Sequence, residues 1–320
     1  MENTGRLRPL RTSVEIKLRR QKVFKIIRNI LVYTALVIVS FFMLVPFYWM
    51  FNTAFKSTNE ILDTAAPPAL WPREFTPQNF TNVWNYVPSS ATLKSMTFWN
   101  YLLNTLTVAV FSIVLGTIAT IIVAFCLARL NFKGKNLLFT ILLATMMIPG
   151  EMMVISNYKT ISTFSWVGEG SIPGGPFYAM IVPFLIGVFN IFMLRNTFKM
   201  VPNELYYAAK VDGVSDFKYC LKIMIPMAKS AIVTIVILKL MGTWNSYIWP
   251  NLVTITEPRF RLVTNWLRLG FVIDDGSGQT RTLVNYQMTA AIIVTVPLLL
   301  LFIFFRKYIM SGVSRSGIKG

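Results

Sequence analysis

The sequence predicts an all-α polytopic membrane protein with about six transmembrane helices and a polar helical hook between the fourth and the fifth. Three observations carry that prediction. Of the 320 residues, 54% are hydrophobic and only 14% charged, and the mean hydropathy of +0.56 is that of a chain solvated by lipid rather than water. Six apolar runs each reach the ~20 residues that a helix needs to cross roughly 30 Å of hydrocarbon with its backbone polar groups satisfied. The cations gather at alternate ends of these runs, as the positive-inside rule requires.

The runs cover approximately residues 27–50, 101–128, 136–157, 177–198, 228–250 and 287–305. Their apolar character is continuous, with Leu, Ile, Phe and Met dominant, so alternating barrel strands fit them poorly. The first follows Arg6, Arg8, Arg11, Lys17, Arg19, Arg20, Lys22, Lys25 and Arg28 and ends in "FFMLVPFYWMFNTAF". No small-residue cleavage site stands there, so the run is expected to remain as an anchor. The outer loop behind it, "DTAAPPALWPREFTPQNFTNVWNYVP", is expected to form an ordered cap with one short helix, Thr76 as N-cap and Pro77 at the first helical position.

Arg129, Lys133 and Lys135 follow the second run, Arg195, Lys199, Lys210, Lys218 and Lys222 the fourth, and Arg306, Lys307, Arg315 and Lys319 the sixth. The opposite loops hold most of the acids, including Glu60, Asp63, Glu74, Asp274 and Asp275. Both termini are therefore expected in the cytoplasm. The organisation read from this is a basic cytoplasmic N-terminus over 1–28, a transmembrane domain over 29–310 with the hook at about 200–226, and a cytoplasmic tail over 311–320.

A net charge of +18 raises the question of nucleic acid. Its confinement to helix ends reads instead as topology and contact with anionic membrane lipid. With no histidine and only Cys126 and Cys220, the usual ligands of a zinc site and the Ser-His or Cys-His nucleophile pairs are missing. No glycine-rich phosphate loop ending in Gly-Lys-Ser/Thr is present. The expectation is a chain that is not an enzyme, needs no cofactor or metal, and moves something rather than converting it.

The hook, "YYAAKVDGVSDFKYCLKIMIP", reads as two short helices around a turn. Asn203 after Pro202 is the expected N-cap, and Glu204 lies in the first turn where the helix dipole favours an anion. Leu205, Ala208, Ala209 and Asp212 share one face. Gly213 tolerates the positive φ that ends a helix, Ser215 can cap a second helix carrying Phe217, Leu221 and Met224, and Pro226 is expected to break it before the fifth span. Two readings stand: the paired alanines admit another protein surface, or the piece lies on lipid headgroups.

The ordered set "AAKVDG", "IMIP" and "GTWNSYIWP" resembles the membrane subunits of ABC importers, specifically the maltose-type carbohydrate permeases. "LWPREFTPQNFTNVW", "MMIPGE", "FMLRNTFKMVPNELYYAA", "NYQMTAAIIVTVPLLLLFIFFRKYIMSG" and "SGIKG" extend that resemblance over almost the whole chain. In the family the hook is the EAA loop: Glu-Ala-Ala, three residues, Gly, then about nine residues to Ile-x-Leu-Pro. Ala208, Ala209, Asp212, Gly213, Ile223 and Pro226 match it, whereas Tyr207 stands in place of the glutamate and Ile225 in place of the leucine. The resemblance implies a permease of the bacterial plasma membrane. Its implied partners are a second homologous permease, two ATP-binding subunits and an extracytoplasmic solute-binding protein. It also implies that the hook, with Glu204, Tyr207, Ala208, Ala209, Asp212, Gly213 and Pro226, sits in a groove of the ATPase; without the family's glutamate, either Tyr207 packs there with Glu204 one turn earlier supplying the charge, or Tyr207 faces lipid headgroups.

Lys239 lies near the middle of the fifth run, where a charge costs about 2.5–3.5 kcal/mol on insertion scales. By resemblance this helix lines the translocation path, so Lys239 can meet an anionic group on a sugar. It can equally pair with Glu151 or with an acid of the partner permease. Trp244, Asn245, Tyr247 and Trp249 follow toward the outer end as an interfacial belt or as sugar-stacking faces. Pro149, Gly150 and Glu151 interrupt the third run, a break tolerated against protein or a watery cavity. By resemblance the loop from Glu257 to Tyr286 faces the binding protein. The competing function is a secondary transporter driven by an ion gradient, for which an inverted repeat would be expected; the sequence shows no convincing one.

Overall fold

The computed structural model describes residues 8–63, 67, 69–87, 96–274 and 280–314, without the side chains of 8–15, 273–274 and 307–314. The expectations for residues 1–7 and 315–320 of the two ends, and for Asp275, fall outside the described residues. In order, the helices are α1 (Arg8–Ala54), α2 (Thr58–Leu62), α3 (Gln78–Trp84), α4 (Phe98–Arg129), α5 (Lys135–Thr145), α6 (Val154–Thr163), α7 (Gly175–Ile181) and α8 (Val188–Lys199). They continue as α9 (Asn203–Val211), α10 (Asp216–Tyr219), α11 (Ile225–Met227), α12 (Lys229–Asn245), α13 (Ile248–Val253), α14 (Val263–Leu267) and α15 (Val284–Ser314). A hairpin of β1 (Val272–Asp274) and β2 (Thr280–Thr282), paired antiparallel with Val272 opposite Thr282, interrupts the otherwise helical chain.

Ile16–Ala54, α4 and Val284–Arg306 are each long and apolar enough to cross a membrane as single helices. The third and fourth predicted spans are not unbroken helices over 136–157 and 177–198, and the fifth, over 228–250, is interrupted between α12 and α13 and set at an angle to the arm of the hook before it. Lys135–Thr145 meets Gly150–Thr163 at 89°, Gly175–Phe184 meets Val188–Lys199 at 42°, and Asp216–Met227 meets Lys229–Asn245 at 81°. Six spans result if each bent pair is one span. The causes are local. Pro149 and Pro183 lack the N–H that continues a helix, and α5, at 11 residues, is only about 16 Å long. Its chain turns at Met146–Pro149 into a 3-10 turn, Gly150–Met153, before α6.

Among the described residues of the expected cap, 63–88, one short helix stands, α3, and a further one, α2, precedes it at the end of α1. Ser57 caps α2, its hydroxyl accepting from the Glu60 amide at 3.3 Å, and α3 starts one residue later than expected, with Pro77 in the cap position. The orphan carbonyls at the end of α1 are taken up by side chains: Asn79 Nδ2 donates to Ala54 and Lys56 at 2.8 Å each, and Asn285 Nδ2 to Lys56 at 3.2 Å. Such partners are what a buried helix end demands.

α4 is the central strut, packed by α8, α12 and α14, while α15 packs on α1 and α12. Three buried clusters run along it. One joins Tyr101, Trp244, Trp266 and Phe271 under the cap; one joins Val108, Met180, Trp249 and Leu262; and one joins Leu194, Phe198, Tyr219 and Met224 under the hook. The hook is thus seated on the helix that also packs on α12 and α14.

Candidate functional site

The hook begins at a buried cation. Arg129, the last residue of α4, donates its guanidinium to the Phe198 carbonyl at 2.8 Å, to the Val201 carbonyl, and to Asn203 Oδ1. Asn203 is therefore not the N-cap: its side-chain oxygen is engaged by Arg129, and Pro202 holds the cap position. A second buried cation, Arg195, donates Nε to the Leu127 carbonyl at 3.1 Å and lies 3.7 Å from the Phe139 ring centroid. Two arginines thus tie the ends of α4 and α8 together through acceptors those ends would otherwise leave unpaired.

α9 ends as the sequence predicts. The Val214 amide donates to Ala209 O at 2.8 Å and the Gly213 amide to Lys210 O at 3.1 Å, with Gly213 at φ +70°, the bond pair of a left-handed Schellman cap. Ser215 then caps α10, accepting from the Lys218 amide at 3.4 Å. Across the turn, Asp216 Oδ1 accepts from Tyr206 Oη and from Lys210 Nζ, each at 2.8 Å. Lys210 first, then Tyr206, hold the Asp216 carboxyl below its ordinary pKa by hydrogen bonding. The same bond to Asp216 raises Lys210, while burial, then the bond to Asp216, raises the Tyr206 hydroxyl.

The predicted coupling residues divide between the two sides of this lock. Glu204, Tyr207, Ala208, Asp212, Gly213 and Pro226 are exposed, whereas Ala209 is buried against the body. Only one of the two alanines is thus open to an outside surface. Val211 is 88% exposed, Phe217 72% and Tyr207 62%, an apolar crest around Ala208. Pro226 does not itself end the second arm. A π turn, Cys220–Met224, and α11 carry the helix through it, and the bend falls at Ala228. The proline's missing donor is absorbed by the wider turn before it.

Lys239, half-buried on α12, donates Nζ to the Leu185 carbonyl at 3.1 Å, a group lying outside both helical segments of the bent fourth span. It lines a cavity of about 270 Å³ with Ser112, Asn190, Thr243, Ser246 and Trp249. Glu151 is exposed in its 3-10 turn and makes no ion pair with Lys239, so the alternative that pairs the two is not what the structure shows. Trp244 does not line that cavity: it is 4% exposed and its indole donates to Val294 O of α15 at 3.2 Å. Asn245 is exposed and bonded to Met241 O of its own helix at 2.9 Å. Trp249 takes the wall position, its indole fixed on Ala179 O at 3.0 Å.

Sequence reasoning missed Ser112, Asn190 and the two buried arginines. Their signal was present as polar residues inside or at the margins of apolar runs, which must find partners there.

Residues 112–315, holding the hook and nearly all of the cavity wall, match the family described as the binding-protein-dependent transport system inner membrane component. The chain belongs to that family. As an inner membrane component it is 31% identical, over 94% of its length and 91% of the relative's, to a probable ABC transporter permease protein of Mycoplasma genitalium. It is 25% identical to the arabinooligosaccharides transport system permease protein AraQ of Bacillus subtilis, over 87% of this chain and 91% of that one. Among solved structures, a chain of a bacterial ABC transporter involved in import of the acidic polysaccharide alginate shares the fold. The TM-score is 0.72 at 19% identity, covering 91% of this inner membrane component and 98% of that chain.

Proposed function

We propose that this inner membrane component is the permease subunit of an ATP-driven importer for a carbohydrate, an oligosaccharide or glycan. It forms the translocation path with a second, homologous permease, receives substrate from an extracytoplasmic binding protein, and is driven by two ATP-binding subunits. Hydrolysis belongs to those subunits, and both termini face the cytoplasm with the hook. What carries the reading is the hook: internally locked by Asp216, seated through Arg129 on the helix beside the cavity, and presenting Tyr207, Ala208, Val211 and Phe217 outward. A stiff element with an unpartnered crest can transmit a rigid-body displacement, which a floppy loop cannot. Names of relatives that carry arabinooligosaccharides and diacetylchitobiose support the substrate class.

The test is reconstitution. Proteoliposomes holding the full assembly, with binding protein outside, are expected to accumulate oligosaccharide only with ATP inside, and to go on doing so after ion gradients are collapsed. Uptake that persists without ATP and stops with the gradient overturns the reading in favour of a secondary transporter.

A further inference from the structure

We propose that the cavity beside Lys239 is a selectivity site for an anionic carbohydrate, one bearing a carboxylate or a phosphate, with the Lys239 ammonium as the group that recognises the charge. This rests on the importer reading above and names its substrate class more closely.

Lys239 is a cation at membrane depth without a carboxylate. Among the described residues the ion pairs are Lys56 with Glu60, Arg73 with Asp63, Lys210 with Asp216 and Arg259 with Glu257, none of them at the cavity. Its one hydrogen-bond partner is a neutral carbonyl, Leu185 O, and an ammonium carries three donors. A low-dielectric surrounding makes an uncompensated charge demand a counter-charge far more strongly than water does. No Asp or Glu of this chain lines the cavity, so the matching anion comes from outside the chain, and in a cavity that admits the transported sugar the proposal assigns it to the occupant.

The rest of the wall suits a sugar. Ser112, Asn190, Thr243 and Ser246 offer donors and acceptors for hydroxyl groups, and Trp249 and Phe184 offer rings. The ammonium is also held in place rather than free to swing away. Gly116 of α4 faces it so closely that a Cβ there would stand 3.0 Å from Lys239 Cε and 2.9 Å from Leu185 O. The absence of a side chain at 116 is what lets the lysine lie between α4 and the break in the fourth span.

The experiment measures ATP-dependent uptake by the full reconstituted assembly of three probes: a neutral trisaccharide, a uronic-acid trisaccharide and a sugar phosphate. For the native chain an anionic probe is expected to be favoured over the neutral one. In Lys239→Met the ratio of anionic to neutral uptake is expected to fall at least tenfold; Lys239→Arg should keep most of it, and Gly116→Ala should lower it with the assembly intact by size-exclusion chromatography. Which anionic probe is lost in Lys239→Met tells carboxylate from phosphate. An unchanged ratio in Lys239→Met, equal loss for all probes, or dissociation of the assembly overturns the proposal and makes Lys239 a structural cation. Transport of none of the sugars, with ATP hydrolysis intact, is a different result: it removes the carbohydrate reading on which the proposal stands.

Discussion

Tyr206 donates its hydroxyl to Asp216 Oδ1 at 2.8 Å across the Gly213 turn, so the two arms of the hook are closed on each other by one carboxylate that also receives Lys210. The pH window of this lock follows from the directions of the shifts. Asp216 is lowered by its donors, so its contribution is full above the ordinary carboxylate range and is lost as pH falls through the depressed value. Lys210 is raised, so its contribution is full below the ordinary lysine value and is lost as pH rises through the raised one. Hydrogen-exchange protection of amides 203–219 should therefore be flat from about pH 5 to 9 and fall below about pH 4. Asp216→Asn should lower protection at neutral pH about two- to tenfold and weaken the coupling of ATP hydrolysis to uptake. Protection unchanged in that variant would show that the lock does not hold the arms.

Gly213 has φ +70° and nothing near the position a Cβ would take, so substitution there is strained by backbone alone. Gly213→Ala should cost about 1–2 kcal/mol locally and appear as faster proteolysis at the turn, with the membrane helices unaffected. If the turn is cut no faster than in the native chain, the left-handed conformation is not what stops α9.

Tyr207, in contrast to its neighbour, makes little of the fold: it is 62% exposed and its ring centroid is 6.1 Å from that of Tyr206. Tyr207→Ala should change thermal stability by no more than ~0.5 kcal/mol and yet lower substrate-stimulated ATP hydrolysis in the assembly. Full stimulation in that variant would remove Tyr207 from the contact with the ATPase.

How much of this was legible depended on the range of the interactions. The bonds made at Gly213 and Ser215 span only three to five residues, so the turn and its caps could be read from a short string. The bend in the third span was signalled by Pro149, but its 89° angle was not, because a proline marks where a helix breaks and not the direction the chain takes after it. At Lys239 the charge was visible and its partner was not, since Leu185 lies 54 residues away and offers only a backbone carbonyl. Trp244 and Trp249 could not be told apart because α12 ends at Asn245 and α13 starts at Ile248. That break resets the helical phase, sending the first tryptophan into the packing with α15 and the second into the cavity wall.

Arg129 joins the spans to the hook, and its removal should be felt more than any change on the exposed crest. Its guanidinium serves the carbonyls of Phe198 and Val201 together with Asn203 Oδ1, and the residue is 7% exposed. Arg129→Met keeps the apolar stem but leaves those acceptors without their donor, a loss of about 1–3 kcal/mol for each buried group left unpaired. Arg129→Lys retains the charge yet not the planar fork, so a single ammonium must choose among acceptors the guanidinium reaches at once. The midpoint of thermal unfolding should fall from native to lysine to methionine, and in both variants amides 203–211 should exchange faster. A lysine variant as stable as the native chain would mean that charge alone, and not the fork, seats the hook on α4.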